Sequence, residues 1–402
     1  MNQPVLSIDV AKGKSVAAAY LSREQLYRKP FTFEHTLTGI QHVLTMLSEM
    51  TAISNEKPHI VLEATGNYSK PISSYFAAQG FPVSILNPIL THQLKKKSIR
   101  KVKTDAIDAS RIAQTFYLGN HKASPPIDDA LIELRSLTRQ YHQFNSLCTD
   151  VQQHFQAVLD LVFPGYDRLF SQTCSGTSLR ILAAYPTPKA VLAADPEHLL
   201  SLMTPNRRGR AWNERKLQDL LATAQQSLPD VQGQSAHCIA LRCYIELLIA
   251  YRKVIDEVEA QMVQLARRFP AFELLRSIPG VGQITGAVIL AEIGEIKRFP
   301  SSKQLSAFAG LDASVFESGT YASNRNRISK RGSAYLRTAL YQATVAAIAV
   351  RSKGAQNPIL SRYYQQKLAE GKPKKVALIA TCHKLLRMVY GIWSSGQHFS
   401  NR

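Results

Sequence analysis

Two series of apolar residues fix what the middle of this chain can become. Leu134, Leu137, Tyr141, Phe144, Cys148, Val151, Phe155, Val158 and Val162 follow one another at alternating spacings of three and four. Leu241, Tyr244, Leu248, Tyr251, Ile255, Val258, Met262, Leu265 and Phe269 do the same. Each run covers about four heptads, which predicts a long helix with one apolar seam. Pro164-Gly165 ends the first and Pro270 the second, because proline has no N–H to continue a helix. The pair either folds back on itself as an antiparallel hairpin or forms a dimerisation stalk, and the charge neutrality of the segment favours the stalk. Residues 165–234 hold shorter helical pieces, Tyr185-Pro186-Thr187-Pro188 and a basic knot, Arg207-Arg208-Gly209-Arg210. They read as an insertion at the tip.

The N-terminal part has a different grain. Val5–Val10 and Ser15–Leu21 are strand-like runs joined by Ala11-Lys12-Gly13-Lys14, a turn that suits a hairpin. A third strand falls in Gln25–His35, a helix in Thr38–Met50, a strand in His59–Glu63, a helix in Lys70–Gln79 and a strand in Pro82–Leu86. Three meandering strands, then helix, strand, helix and strand, is the order of an RNase H-like sheet. Asp9 and Glu63 each sit at the end of a strand. Downstream, Val102–Ala113 reads V-K-T-D-A-I-D-A-S-R-I-A, so Asp105 and Asp108 project from one face of a single helical turn. Convergence of these four carboxylates would make an all-oxygen site suited to Mg²⁺ or Mn²⁺, of the kind that attacks phosphodiesters. Thr104 and Asp105 also suit an ordinary helix start.

Charge points to a polyanion. The chain of 402 residues carries 49 Lys and Arg against 29 Asp and Glu, a formal +20, which steers in nucleic acid over long range. Residues 1–127 hold 15 bases and 8 acids, 128–271 hold 15 and 15, and 272–402 hold 19 and 6. Nucleic-acid contact is therefore expected at the two ends and protein contact in the middle. Lys95, Lys96, Lys97, Arg100, Lys101 and Lys103 lie directly before the acidic pair. The five cysteines, at 148, 174, 238, 243 and 382, form no C-x-x-C pair and read as reduced thiols. Neither a signal sequence nor an apolar run of spanning length is evident, so a soluble cytoplasmic protein with no membrane contact is expected.

The last segment opens with Ile278-Pro279-Gly280-Val281-Gly282, a turn between helices. In a helix-hairpin-helix module, backbone N–H groups at Gly280 and Gly282 would bind a phosphate without reading bases. Phe308-Ala309-Gly310-Leu311 and Glu317-Ser318-Gly319 follow. Arg325, Arg327, Lys330 and Arg331, interleaved with Asn326 and Ser329, form a phosphate-gripping loop before a helix rich in Ala and Leu.

Together these blocks resemble the DEDD-type insertion-sequence transposases, which are related to a pilin-gene invertase and described as bridge-RNA-guided recombinases. The resemblance rests on Ser7–Lys12, Glu63–Tyr68 and Lys103–Ala109 as acidic blocks. At the C-terminal end it rests on Ile278–Gly282, Phe308–Leu311, Glu317–Gly319 and Ile328–Gly332. Residues 165–234 are longer than in compact members and closer to a long-bodied branch. The resemblance implies an N-terminal RNase H-like, RuvC-like domain (1–125), a central helical coiled coil with its insertion (126–270) and a C-terminal helical transposase domain (271–402). It implies that Asp9, Glu63, Asp105 and Asp108 hold divalent metal and that Ser318 attacks DNA, with a noncoding RNA pairing to donor and target DNA. Lys12 would bind phosphate beside the metal, and a composite site across a homo-oligomer, dimer or tetramer, would follow. The rival hydroxyls are Ser277, Ser329 and Ser333, with Ser333 ranked first among them. Two other readings are a metal-dependent junction nuclease using water, and a binder without catalysis.

Overall fold

The computed structural model describes residues 3–64, 66–86, 88, 91, 104–119, 128–204, 209–228, 234–313, 317–318, 321–322, 327–352 and 354–400. It divides into two compact units, Met1–Pro126 and Ile127–Arg402.

In the first unit the alternating runs become strands β1 (Val5–Val10), β2 (Lys14–Tyr20), β3 (Leu26–Glu34), β4 (His59–Glu63) and β5 (Val83–Leu86). They form one sheet in the order β3-β2-β1-β4-β5. The β1–β2 and β2–β3 pairs are antiparallel, whereas β4 runs parallel to β1 and β5 parallel to β4. Because successive side chains face opposite ways, β1 and β4 each feed two cores. Leu6, Ile8, Val10, Ile60 and Leu62 pack with residues of helix α1 (Leu37–Ser54) and helix α2 (Ser69–Ala78). Val5, Val61 and Leu86 pack with Ile112, Ala113, Phe116 and Tyr117 of helix α3 (Asp105–Tyr117). The sheet is thus covered on both faces, with α3 on the second.

In the second unit the two heptad series become α4 (Asp129–Val162) and, after four shorter helices, α9 (Gln234–Ala266). They pack against each other within one chain. This is the arrangement of the hairpin alternative within one chain. Leu134, Cys148, Phe155 and Val162 on α4 and Leu241, Leu248, Met262 and Leu265 on α9 are buried. Helices α5 (Gly176–Ala184), α6 (Pro188–Leu192), α7 (Pro196–Met203) and α8 (Arg210–Gln226) cap the tip. There Leu179, Leu182, Val191, Leu199, Met203 and Leu220 share a core with Phe155, Leu159 and Leu241.

At the other end of the hairpin a second core joins Leu131, Leu134, Met262 and Leu265 to the C-terminal helices. These are α10 (Pro270–Arg276), α11 (Gln283–Ile293), α12 (Ser302–Ala309), α13 (Ala334–Ile348), α14 (Pro358–Ala369) and α15 (Lys374–Ser395), with two short hairpins, β6–β7 (Glu317–Ser318, Tyr321–Ala322) and β8–β9 (Val350–Arg351, Gly354–Ala355). Contrary to the expectation that no run reaches spanning length, α15, with 22 residues, is long and apolar enough to cross a membrane. Its Ala377, Thr381, Cys382, Leu385, Leu386 and Val389 are buried, and most of them are part of this helical core.

Candidate active site

Asp9 and Glu63 are placed by the register of the two central parallel strands. Val5 pairs with His59 and Ile8 with Leu62, so the next step in register sets Asp9 beside Glu63 at the same strand end. Both follow the parity of Val5 and Val61, whose side chains face α3. Helix α3 runs against these strands. Its last residues lie at their N-terminal ends, where the Tyr117 hydroxyl donates to Gln3 O at 3.0 Å and the Phe116 ring lies 4.7 Å from that of His59. From Phe116 back to Asp108 the helix rises about 12 Å, and from His59 to Glu63 the strand rises about 13 Å. The first turn of α3 is therefore level with the two strand-end acids, on the face they share.

That turn is well specified locally. Thr104 caps α3, its Oγ1 accepting from Ile107 N at 3.3 Å, and Asp105 and Asp108 lie where the helix dipole favours carboxylates. Asp105 is exposed, whereas Asp9, Glu63 and Asp108 are half-buried. Among the described residues no three His, Cys, Asp or Glu side chains stand close enough together to hold a metal ion. Asp108 Oδ1 is instead engaged by Arg111 Nη1 at 2.9 Å, and Glu63 Oε2 accepts from Thr91 Oγ1 at 3.0 Å. Asp108 and Glu63 thus each have a local donor partner. The donor set, all carboxylate and partly accessible on rigid elements, fits a hard divalent ion. Lys12 is exposed in the β1–β2 turn at the same sheet end. Lys95, Lys96, Lys97, Arg100, Lys101 and Lys103 lie outside the described residues.

In the second unit the expected motifs meet one another. Helix α12 ends at Gly310, with φ 65°, where a Cβ would come within 2.8 Å of both Gly332 N and Arg337 Nη1. A Cβ on Gly332 would lie 2.0 Å from Phe308 O. Lys330 N donates to Gly310 O at 3.1 Å, Ser329 N to Asp312 O at 2.8 Å and Ser333 N to Phe308 O at 2.7 Å. Ala313 and Ile328 form an antiparallel bridge. The Phe308–Leu311 and Ile328–Gly332 blocks thus clamp the base of an excursion, and within it Ser318 pairs with Tyr321. Lys330 takes a left-handed φ of 53°, a strained conformation for a side-chain-bearing residue. Arg327, Lys330 and Arg331 are exposed. Arg325 and the Ser318 side chain lie outside the described residues.

The three rival hydroxyls are all committed to packing. Ser277 Oγ donates to Leu274 O at 2.7 Å and accepts from Phe399 N at 2.9 Å. Ser329 Oγ donates to Asp312 Oδ1 at 2.6 Å. Ser333 caps α13, accepting from Leu336 N at 3.1 Å, and donates to Glu292 Oε2 at 2.7 Å. In the Pro-Gly turn only part of the expected backbone cradle is open. Gly280, with φ 105°, is pressed onto α13, where a Cβ would lie 2.5 Å from Ala347 Cβ, so helix packing accounts for this glycine. Gly282 is exposed at the start of α11, and no described side chain caps that end.

A charged cluster that sequence reasoning missed surrounds Glu292, which is 2 % exposed. Arg139 Nε reaches its Oε1 at 3.1 Å, and Arg135 Nε donates to Ala291 O at 2.8 Å. The His142 ring lies 5.2 Å from that of Tyr335, and its buried Nε2 has no hydrogen-bond partner among the described residues. Burial pulls the His142 pKa below the usual histidine value, with Glu292 opposing. The only clue in the sequence was one acid in the apolar run Ala287–Ile293.

Comparison with known proteins gives the family. A DEDD-type IS110 transposase model matches residues 6–164, and a model of the transposase IS116/IS110/IS902 family matches residues 272–365. The pilin gene-inverting protein of Moraxella bovis is 22 % identical over 100 % of this chain and 99 % of its own length. An IS110 insertion-element protein of 43.6 kDa from Streptomyces coelicolor is 24 % identical over 75 % of this chain and 73 % of its own. The transposase of insertion sequence IS1111A from Coxiella burnetii is 36 % identical over 25 % of this chain and 27 % of its own. With both transposase segments present in order on one polypeptide, the chain belongs to the IS110/IS116 family of insertion-sequence transposases.

Proposed function

We propose that this protein moves an insertion sequence by cutting and rejoining DNA, with Asp9, Glu63, Asp105 and Asp108 as its metal site and Ser318 as the attacking group. The observation that carries the reading is the common level of the strand-end acids and the first turn of α3. The strand order β3-β2-β1-β4-β5, with its antiparallel meander and parallel β4 and β5, supports an RNase H-like, RuvC-like domain. Mg²⁺ or Mn²⁺ bound there would polarise the scissile phosphate and stabilise the departing oxygen.

The chain's own groups have the remaining tasks. Ser318 Oγ bonds to phosphorus as the 3′ oxygen leaves with a proton, giving a 5′-phosphoserine. Attack of that 3′ hydroxyl on the phosphoserine reverses the step, so rejoining needs no external energy source. A serine hydroxyl is a weak nucleophile without activation, and no histidine adjoins Ser318 in sequence, which is why one chain would need both a carboxylate site and this serine. The clamped base of the Ser318 excursion would fix its entry angle, and Arg325, Arg327, Lys330 and Arg331 would hold flanking phosphates. As the two groups lie on separate units, we place them together across subunits of a dimer or tetramer. Sequence choice would come from an element-encoded bridge RNA paired with donor and target DNA.

A nicked suicide substrate tests the chemistry. It should trap a covalent protein–DNA adduct that Ser318→Ala abolishes and that Asp108→Ala reduces at least a hundredfold. Cleavage without an adduct, unchanged in Ser318→Ala, would instead establish attack by water. Expression with native flanking DNA should copurify one discrete RNA, and recombination of a defined site by RNA-free protein would remove the guide.

A further inference from the structure

Helices α14 and α15 carry a basic groove that no step above uses. Between Pro358 and Ser395 there are seven lysines and arginines and a single acid, Glu370. That acid is already taken, lying 2.8 Å from Lys367 Nζ. The two helices pack side by side, leaving a cavity of about 500 Å³ lined by Tyr363, His383, Lys384, Arg387 and Met388. Among the described residues no carboxylate lines it. The ammonium of Lys384 lies 4.4 Å over the Tyr363 ring and that of Lys367 lies 5.2 Å over it. Cation–π contact therefore holds these lysines in place beside the cavity. Burial, and then the nearby Arg387, depress the His383 pKa.

We infer that this groove is a phosphodiester-binding site, in which Lys384, Arg387 and His383 grip the backbone of a nucleic acid and Tyr363 orients the lysines. A solvated basic face would not need Lys384 held on the Tyr363 ring beside a cavity that no described carboxylate lines. Such contacts position a strand without reading its bases. The site lies almost wholly beyond the matched segment 272–365. It rests on the reading that this chain handles nucleic acid, but not on Ser318 or the carboxylates. Duplex DNA and structured RNA present the same phosphodiester chemistry, so the test must separate them.

Fluorescence anisotropy of the full chain with labelled duplex DNA, single-stranded RNA and an RNA hairpin, each at several salt concentrations, decides the matter. Lys384→Gln with Arg387→Gln should weaken binding at least tenfold and lower the salt slope by about 2, one for each phosphate no longer gripped. Weakening confined to the DNA probe, or to an RNA probe, identifies which backbone occupies the groove. Tyr363→Leu should weaken binding about threefold whereas Tyr363→Phe should preserve it, because only the aromatic face matters. This pair carries the test if the double variant does not fold. Binding within twofold of wild type and an unchanged slope on all three probes would overturn the proposal. Anisotropy reads binding without cleavage, so a protein that binds through this groove yet never forms an adduct would sink the phosphoserine and leave the groove intact.

Discussion

The hydroxyl of Ser333 donates to the buried Glu292 carboxylate at 2.7 Å while also capping α13. One bond therefore ties the loop after the Ser318 excursion to α11, and Arg139 ties the same carboxylate to the long helix α4. Removing the charge with Glu292→Gln leaves Arg139, with Arg135 nearby, facing a neutral amide, and should lower unfolding stability by about 3 kcal/mol. Ser333→Ala should cost about 1–2 kcal/mol through removal of the cap. The double variant should lose less than the two together, because both changes break one shared bond. Denaturant titration of the three variants measures this, and strict additivity would show the bond to be idle.

Gly280 and Gly371 separate close packing from backbone conformation. Both have positive φ, 105° and 78°, but a Cβ on Gly280 would strike Ala347 whereas one on Gly371 meets nothing within 4 Å. Gly371→Ala should cost about 1 kcal/mol from strain alone. Gly280→Ala should cost about 2–4 kcal/mol by also pushing α13 away. Equal melting temperatures for the two variants would contradict this.

Arg111 competes with any cation for Asp108. The 2.9 Å ion pair is largely shielded, with side chains 14 % and 13 % exposed. Replacing Arg111 with Gln should therefore raise Mn²⁺ affinity several-fold, measured by calorimetry, while Asp108→Asn should lower it at least tenfold. An affinity indifferent to both changes would place the ion elsewhere.

His142 should make the second unit acid-sensitive. Burial lowers its folded pKa below the unfolded value of about 6.5, so protonation favours the unfolded chain. Stability is fully present above about pH 6.5 and is lost as pH falls from there through the depressed folded pKa. His142→Gln should flatten that acid limb in melting curves taken across the range, with little change near pH 8. An identical limb in the variant would assign it to another group.

Several features were legible in the residues alone because they depend on local periodicity. The five strands and the helices beside them follow from alternation and caps, and the two long helices from their heptads. The acidic turn Asp105–Asp108 follows from helical spacing. The pairing of α4 with α9 in one chain was not legible, since a heptad seam states that a helix needs a partner and not where the partner is. Nor was the Glu292 cluster, whose members Arg139, His142, Glu292 and Ser333 come from three separate stretches.

Local pattern sets which residues must be helical or extended and which faces must be covered, because propensity and amphipathic period act over a few residues. Tertiary structure alone decided that Asp9 and Glu63 stand level with the first turn of α3 and that Gly310 and Gly332 lock two distant blocks together. It also decided that Ser333 is spent on a buried carboxylate. These are relations between segments dozens of residues apart, set by strand register and side-chain volume in a packed interior, and no local pattern encodes them.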